Sequence, residues 1–185
     1  MKFRGVFVCL IAVGVAAAMY SVGVAGAAAP SKTVVKVTSK ISIKPNRYIQ
    51  DGLRWNRDVY TVKSGGTVRV INTFAGEGPH TFTVVKPKDL PKTGAQVLNC
   101  KICGVLGGAH GANPESNEPP KFQFLENGVG QTTAPNVDRP GDSGITGPGK
   151  KGEFIDLKVT AKPGTTLNFM CIIHPWMQAK LKVVR

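Results

Sequence analysis

The chain has 185 residues, 42% of them hydrophobic, and carries 24 Lys and Arg against 11 Asp and Glu, a formal net charge of +13. That length suits one domain with an adequate core and leaves little room for a second. No basic helix or aromatic RNA-binding motif accompanies the charge, which excludes nucleic acid and points to acidic protein surfaces, anionic lipid headgroups or cell-wall polymers, unless the charge is simply a solvated surface.

The chain opens with Lys2 and Arg4, an apolar run over 5–19, and the small residues Ala25-Gly26-Ala27-Ala28-Ala29. This is the pattern of a secretory signal peptide over 1–29, cut after Ala27 or Ala28. A retained membrane anchor is the alternative, because the apolar stretch approaches the ~20 residues that span a bilayer. Either way the folded part, 30–185, is expected outside the cytoplasm, periplasmic or secreted. Losing Lys2 and Arg4 leaves 22 basic residues against 11 acidic, a charge of +11. Cys9 lies inside the apolar run and is expected to leave with it.

From Thr33 the apolar residues alternate, in Val35-Lys36-Val37-Thr38 and Ile41-Ser42-Ile43-Lys44, which predicts half-buried strand. The alternation returns in Val59-Tyr60-Thr61-Val62. After the turn Ser64-Gly65-Gly66 it returns again in Thr67-Val68-Arg69-Val70-Ile71-Asn72, and then in His80-Thr81-Phe82-Thr83-Val84-Val85. Three further strands are expected over 153–160, 166–170 and 178–184, the first two separated by Lys162-Pro163-Gly164. Seven strands with short turns and no long helical period predict an all-β, Greek-key β-sandwich.

Between about 86 and 151 the character changes. Residues 87–150 hold 11 Gly and 8 Pro with weak periodicity. So long an insertion in a compact domain predicts local structure or a functional excursion, with Phe122-Gln123-Phe124-Leu125 as a short strand. Within it Cys100-Lys101-Ile102-Cys103 leaves three readings open. One is a local disulfide in an oxidising compartment. The second is a metal site using Cys100, Cys103 and His110, weakened because a closed zinc site wants four protein ligands. The third is a redox dithiol, which lacks an expected helix beside it. Gly104 stands where covalent haem attachment needs His. His110, among Gly107, Gly108 and Gly111, is expected to be exposed. Residues 144–150 imitate a phosphate loop but carry Lys151 where Ser or Thr is required.

The densest chemistry lies in Cys171-Ile172-Ile173-His174-Pro175-Trp176-Met177. Cys171, His174 and Met177 follow C-x2-H-x2-M between two expected strands. A soft thiolate, a borderline imidazole and a weak thioether are donors of a blue-copper site that lacks one imidazole. His80, opening a strand after the turn-rich 75–79, supplies it. Lone Cys and Met residues are usually core, but the joint spacing argues for ligation.

With these residues in view, the chain resembles the small blue copper proteins of the cupredoxin family over about 60–85 and 154–184. Its ligand loop, with two residues between His and Met, is most similar to that of amicyanin. The resemblance implies the cupredoxin fold, one type 1 copper with His80, Cys171 and His174 equatorial and Met177 axial, and one-electron transfer. It departs where family members often have Asn after the first His: here Thr81 stands, with fewer hydrogen-bonding groups, and Asn72 is too far back to substitute.

The expected role is that of a monomeric, non-enzymatic electron carrier between redox protein partners, with association to a membrane surface open. His174 is the expected electron port. Trp176 either joins a docking patch with Pro175 and Gly78-Pro79 or shields the metal from water. The alternative is an extracytoplasmic protein that buffers or delivers copper through the same ligands, and a third is a metal-free binding domain. No group suggests a substrate site with general acid and base.

Overall fold

The computed structural model describes residues 28–39, 42–73, 78–113, 115, 116, 118–147 and 150–185. The expected leader and the turn residues Ala75, Gly76 and Glu77 lie outside the described residues, apart from Ala28 and Ala29. In chain order the first strands are β1 (Lys32–Thr38), β2 (Ser42–Lys44), β3 (Tyr48–Gln50), β4 (Arg54–Trp55), β5 (Val59–Lys63), β6 (Thr67–Ile71) and β7 (Thr81–Val85). Two helices follow, α1 (Gly94–Leu98) and α2 (Lys101–Ala109). The chain returns to strand in β8 (Phe124–Glu126), β9 (Val129–Gln131), β10 (Asn136–Val137), β11 (Ser143–Ile145), β12 (Phe154–Val159), β13 (Thr166–Met170) and β14 (Gln178–Val184).

The expected all-β sandwich is present. One sheet runs β10-β12-β6-β1-β4 and the other β5-β14-β13-β7-β11-β8-β9, while β2 and β3 form a separate hairpin. The two sheets meet through the alternate residues that the period-two pattern singles out: Val35, Val37, Val68, Val70 and Leu157 from one, Val62, Phe82, Val84, Leu181 and Val183 from the other. Phe169 of β13 lies among the large side chains of this core. Its ring stacks on Phe82 at 4.2 Å and meets Trp55 and Tyr60, each at 5.8 Å. Aromatic groups of this size supply much of a core's buried area, and their offset contacts add to it.

β7 differs from the other strands because every one of its five residues is buried. Phe82 and Val84 belong to the sandwich core. Alternation turns Thr81, Thr83 and Val85 to the opposite face, and there the insertion covers them. Val85 joins Met170, Ile172, Leu125 and Leu106 of α2 in a second apolar cluster. The insertion is also built into the sheet: β11 pairs antiparallel with β7, Ser143 opposite Thr83 and Ile145 opposite Thr81, and β8 extends the sheet beyond it. Gly144 has no room for a side chain, since a Cβ there would stand 2.7 Å from Ile155 Cδ1.

Three expectations about the insertion change. A helix does lie beside the C-x-x-C motif: α2 starts at Lys101 with Cys100 as its N-cap. Gly104, Gly107 and Gly108 weaken helix propensity, but packing of Leu106 and partly buried Ile102 and Ala109 against the second cluster sustains it. Cys100 and Cys103 form a disulfide, so the metal site with His110 is not formed. His110 is 1% exposed rather than solvent-facing, because the α2 C-terminus tucks it under β11. The short strand expected within 122–125 appears at β8.

Asp142 holds the return of the insertion. Its carboxylate, itself buried, accepts from the backbone N–H of Asn127 at 3.0 Å, Asp138 at 2.9 Å and Arg139 at 3.0 Å. Asn at this position keeps only one acceptor oxygen for two clusters of donors. Asp142→Asn is expected to cost about 1–3 kcal/mol, read as a lowered urea midpoint with an unchanged slope. Phe169→Ala, which empties the centre of the sandwich, is expected to cost roughly 3–5 kcal/mol in the same measurement.

Candidate metal centre

The loop Cys171–Met177 connects β13 to β14, which pair antiparallel up to Met170 opposite Gln178. Tight backbone bonds close the loop on itself. The Cys171 N–H donates to the Met177 carbonyl at 3.0 Å, and the Met177 N–H to the His174 carbonyl at 2.8 Å. The Met177 carbonyl also accepts from Trp55 Nε1 at 3.1 Å, which fixes the loop to the opposite sheet. Gln178 Nε2 donates to the carbonyls of Pro175 and Pro91, each at 2.8 Å, tying the loop to the start of the insertion.

His80 arrives just before β7. Its backbone is braced by Thr146, at the end of β11: the His80 N–H donates to Thr146 Oγ1 at 2.9 Å, and the Thr146 N–H donates to the His80 carbonyl at 2.8 Å. Thr146 gives no signal in the sequence, because its role depends on the insertion returning to pair with β7.

Chain segments 91 residues apart thus meet at one point. His80 Nδ1 lies 4.0 Å and His174 Nδ1 3.6 Å from Cys171 Sγ. One donor atom from each of the three residues falls within 4.8 Å of the others. Cys171 and His80 are buried and His174 is half-buried. Met177, the fourth expected ligand, is fully buried at the end of the same loop, in the same core cluster as Cys171. Trp176 is 40% exposed; its ring meets His174 edge-on at 5.4 Å, and its Nε1 donates to the Leu53 carbonyl at 3.0 Å. It therefore both covers one side of His174 and presents an aromatic edge to solvent.

The electrostatics favour a metal over free protons. Burial, then the neighbouring His174, pulls His80 down to about 4, against a smaller opposing pull from Asp51. Burial also lowers His174. Both imidazoles are therefore neutral near pH 7, the form that ligates. Burial pushes the Cys171 thiol up, and hydrogen bonds from Thr81, His174 and Ile173 oppose that rise. A cation that accepts a thiolate offsets the cost of ionising a buried sulfur. Two imidazoles and one thiolate with a buried thioether close by in the chain form the donor set of type 1 copper; structural zinc favours four strong ligands.

The departure at Thr81 has a structural answer. The Thr81 N–H donates to Cys171 Sγ at 3.3 Å, and its Oγ1 accepts from the Ile172 N–H at 2.9 Å. One threonine therefore joins the strand carrying His80 to the loop carrying Cys171. Asn72 takes no part in this tie. Among the described residues no helix is long and apolar enough to cross a bilayer.

No protein-family model and no curated protein matches the chain. Solved structures similar to it include auracyanin from Roseiflexus castenholzii, reduced with dithionite, at 18% identity, covering 85% of this chain and 99% of that one with a TM-score of 0.42. A purple cupredoxin from Nitrosopumilus maritimus is 10% identical, covering 81% and 97%, with a TM-score of 0.39. Amicyanin from Paracoccus versutus is 13% identical, covering 82% and 80%, with a TM-score of 0.34. The chain is thus similar to cupredoxins.

Proposed function

We propose that this chain is an extracytoplasmic type 1 copper protein that carries single electrons between redox protein partners. The observation that carries the proposal is the meeting of His80, Cys171 and His174 at one buried point, with donor atoms within 4.8 Å of each other. When bound, copper supplies a one-electron couple between its two oxidation states.

The protein's part is to hold donors suited to both states. Cys171 offers the soft sulfur that Cu(I) favours, His80 and His174 the nitrogens that Cu(II) favours, and Met177 a weak axial thioether. The loop bonds, the Trp55 anchor on Met177 and the Thr146 brace on His80 keep these groups from rearranging. A rigid site loses little energy to reorganisation when charge changes on it. His174 is the least buried of the three donors, which favours it as the electron port, and exposed Ile173 and Trp176 flank it. The positive charge of the chain favours partners with acidic surfaces.

Cys171→Ser is expected to abolish the thiolate-to-copper band while leaving the sandwich folded by circular dichroism; a Ser variant that stays blue contradicts the ligand assignment. A carrier also keeps its copper through repeated reduction and reoxidation in the presence of a competing Cu(I) chelator. Release of the metal on the first reduction favours copper delivery instead.

A further inference from the structure

The Cys100–Cys103 cross-link spans a sequence separation of three. A disulfide stabilises a fold chiefly by closing a loop in the unfolded chain, and shorter loops gain less. The helix that begins here has its own support, because Leu106, Ile102 and Ala109 pack against the second apolar cluster. Holding the fold together therefore accounts poorly for this pair.

Its surroundings suit thiol chemistry instead. Cys100 is the N-cap of α2, a helix of nine residues, and no side-chain hydrogen bond caps that end. An N-cap side chain ordinarily accepts from the N–H of the second or third helical residue, here Ile102 and Cys103. A thiolate released at Cys100 supplies that missing acceptor. Lys101 follows directly and is exposed, and residues 90–114 contain Lys92 and Lys101 but no acidic residue. Neither lysine takes part in an ion pair among the described residues. A helix start, a neighbouring cation and C-x-x-C spacing each favour thiolate over thiol, and all three meet here. The bond is also open to attack. Both cysteines are half-buried, Asn99 and Lys101 beside Cys100 are exposed, and Leu98 and Val105 are 85% and 65% exposed. Cys103 is the inner sulfur, lining a small cavity with Ile172 and Ile173.

We propose that Cys100–Cys103 is a redox-active disulfide that accepts two electrons from an external dithiol. One thiolate of the dithiol attacks Cys100 Sγ, forming a mixed disulfide as the Cys100–Cys103 bond breaks and Cys103 leaves as a thiolate. The second thiolate of the dithiol then attacks its own sulfur in that mixed disulfide, and Cys100 leaves to the uncapped helix start. The external dithiol ends as a disulfide, oxidised by two electrons. Cys100 and Cys103 end reduced, and the two thiol protons pass to them through solvent. No ligand of the metal centre takes part, so the inference stands apart from the copper reading.

The test uses the folded full chain without added metal, equilibrated with reduced and oxidised glutathione and trapped by alkylation. Peptide mass mapping separates Cys100 and Cys103 from Cys9 and Cys171. Structural disulfides of secreted proteins resist the glutathione pool. Here both cysteines are expected to be alkylated without denaturant, with the circular dichroism of the sandwich unchanged. A Cys100–Cys103 bond that survives until urea unfolds the chain overturns the proposal. In Cys103→Ser the remaining Cys100 thiol is expected to react with iodoacetamide in mildly acidic buffer several-fold faster than glutathione does, and Lys101→Glu on that background to slow it. A Cys100 thiol no faster than glutathione overturns the activation by the helix start. If Cys103→Ser does not fold, the glutathione equilibrium of the wild type decides.

Discussion

The structure depends on burying a cysteine sulfur between two imidazoles that come from opposite parts of the chain. A thiol at that depth is costly to ionise, and burial pushes it up accordingly. Two histidines brought beside it without a metal gain little from each other, and one lowers the other. Folding brings these groups together only because other contacts over-determine their places. These are the backbone bonds within Cys171–Met177, the Trp55 anchor, the Thr146 brace and the Thr81 tie. The sandwich core supplies the energy, and these few directional bonds supply the geometry.

This view explains why β7 is covered on both faces. In a two-layer sandwich an antiparallel strand commonly keeps one face in water. Here the insertion adds a third layer, with α2 and the second apolar cluster over Val85, Met170 and Ile172. Residues on either side of Cys171 are thus packed from both directions. The insertion is joined to the ligand strand by the β11–β7 pairing and to the ligand loop by the Gln178 bonds to Pro91 and Pro175. Its described residues wall the site and add no donor to the group of His80, Cys171 and His174.

The sandwich strands and the meeting of His80, Cys171 and His174 were legible in the sequence for physical reasons. Strands β1, β5, β6, β12 and β14 each bury one face against the same core, so strict alternation is written into them. The ligand loop is legible because three donors of different softness sit at short, fixed spacing between two strands. The insertion was not legible in this way. β9 and β10, of three and two residues, exist through their partners rather than through their own propensity. α2 is diluted by three glycines, and what stabilises it is a remote apolar surface. His110 and Thr83 were misread or passed over for one shared reason: polar side chains look solvent-facing until the element that covers them is known, and that element lies far away in the chain.

The central claim is that His80, Cys171 and His174 form a preformed copper site of the blue type. The measurement that tests it most directly is the visible spectrum of the protein on addition of Cu(II), followed by ascorbate and then air or ferricyanide. The account predicts an intense thiolate-to-copper band at one copper per chain that bleaches on reduction and returns on reoxidation. Copper bound without that band, or a band that does not return, would contradict it.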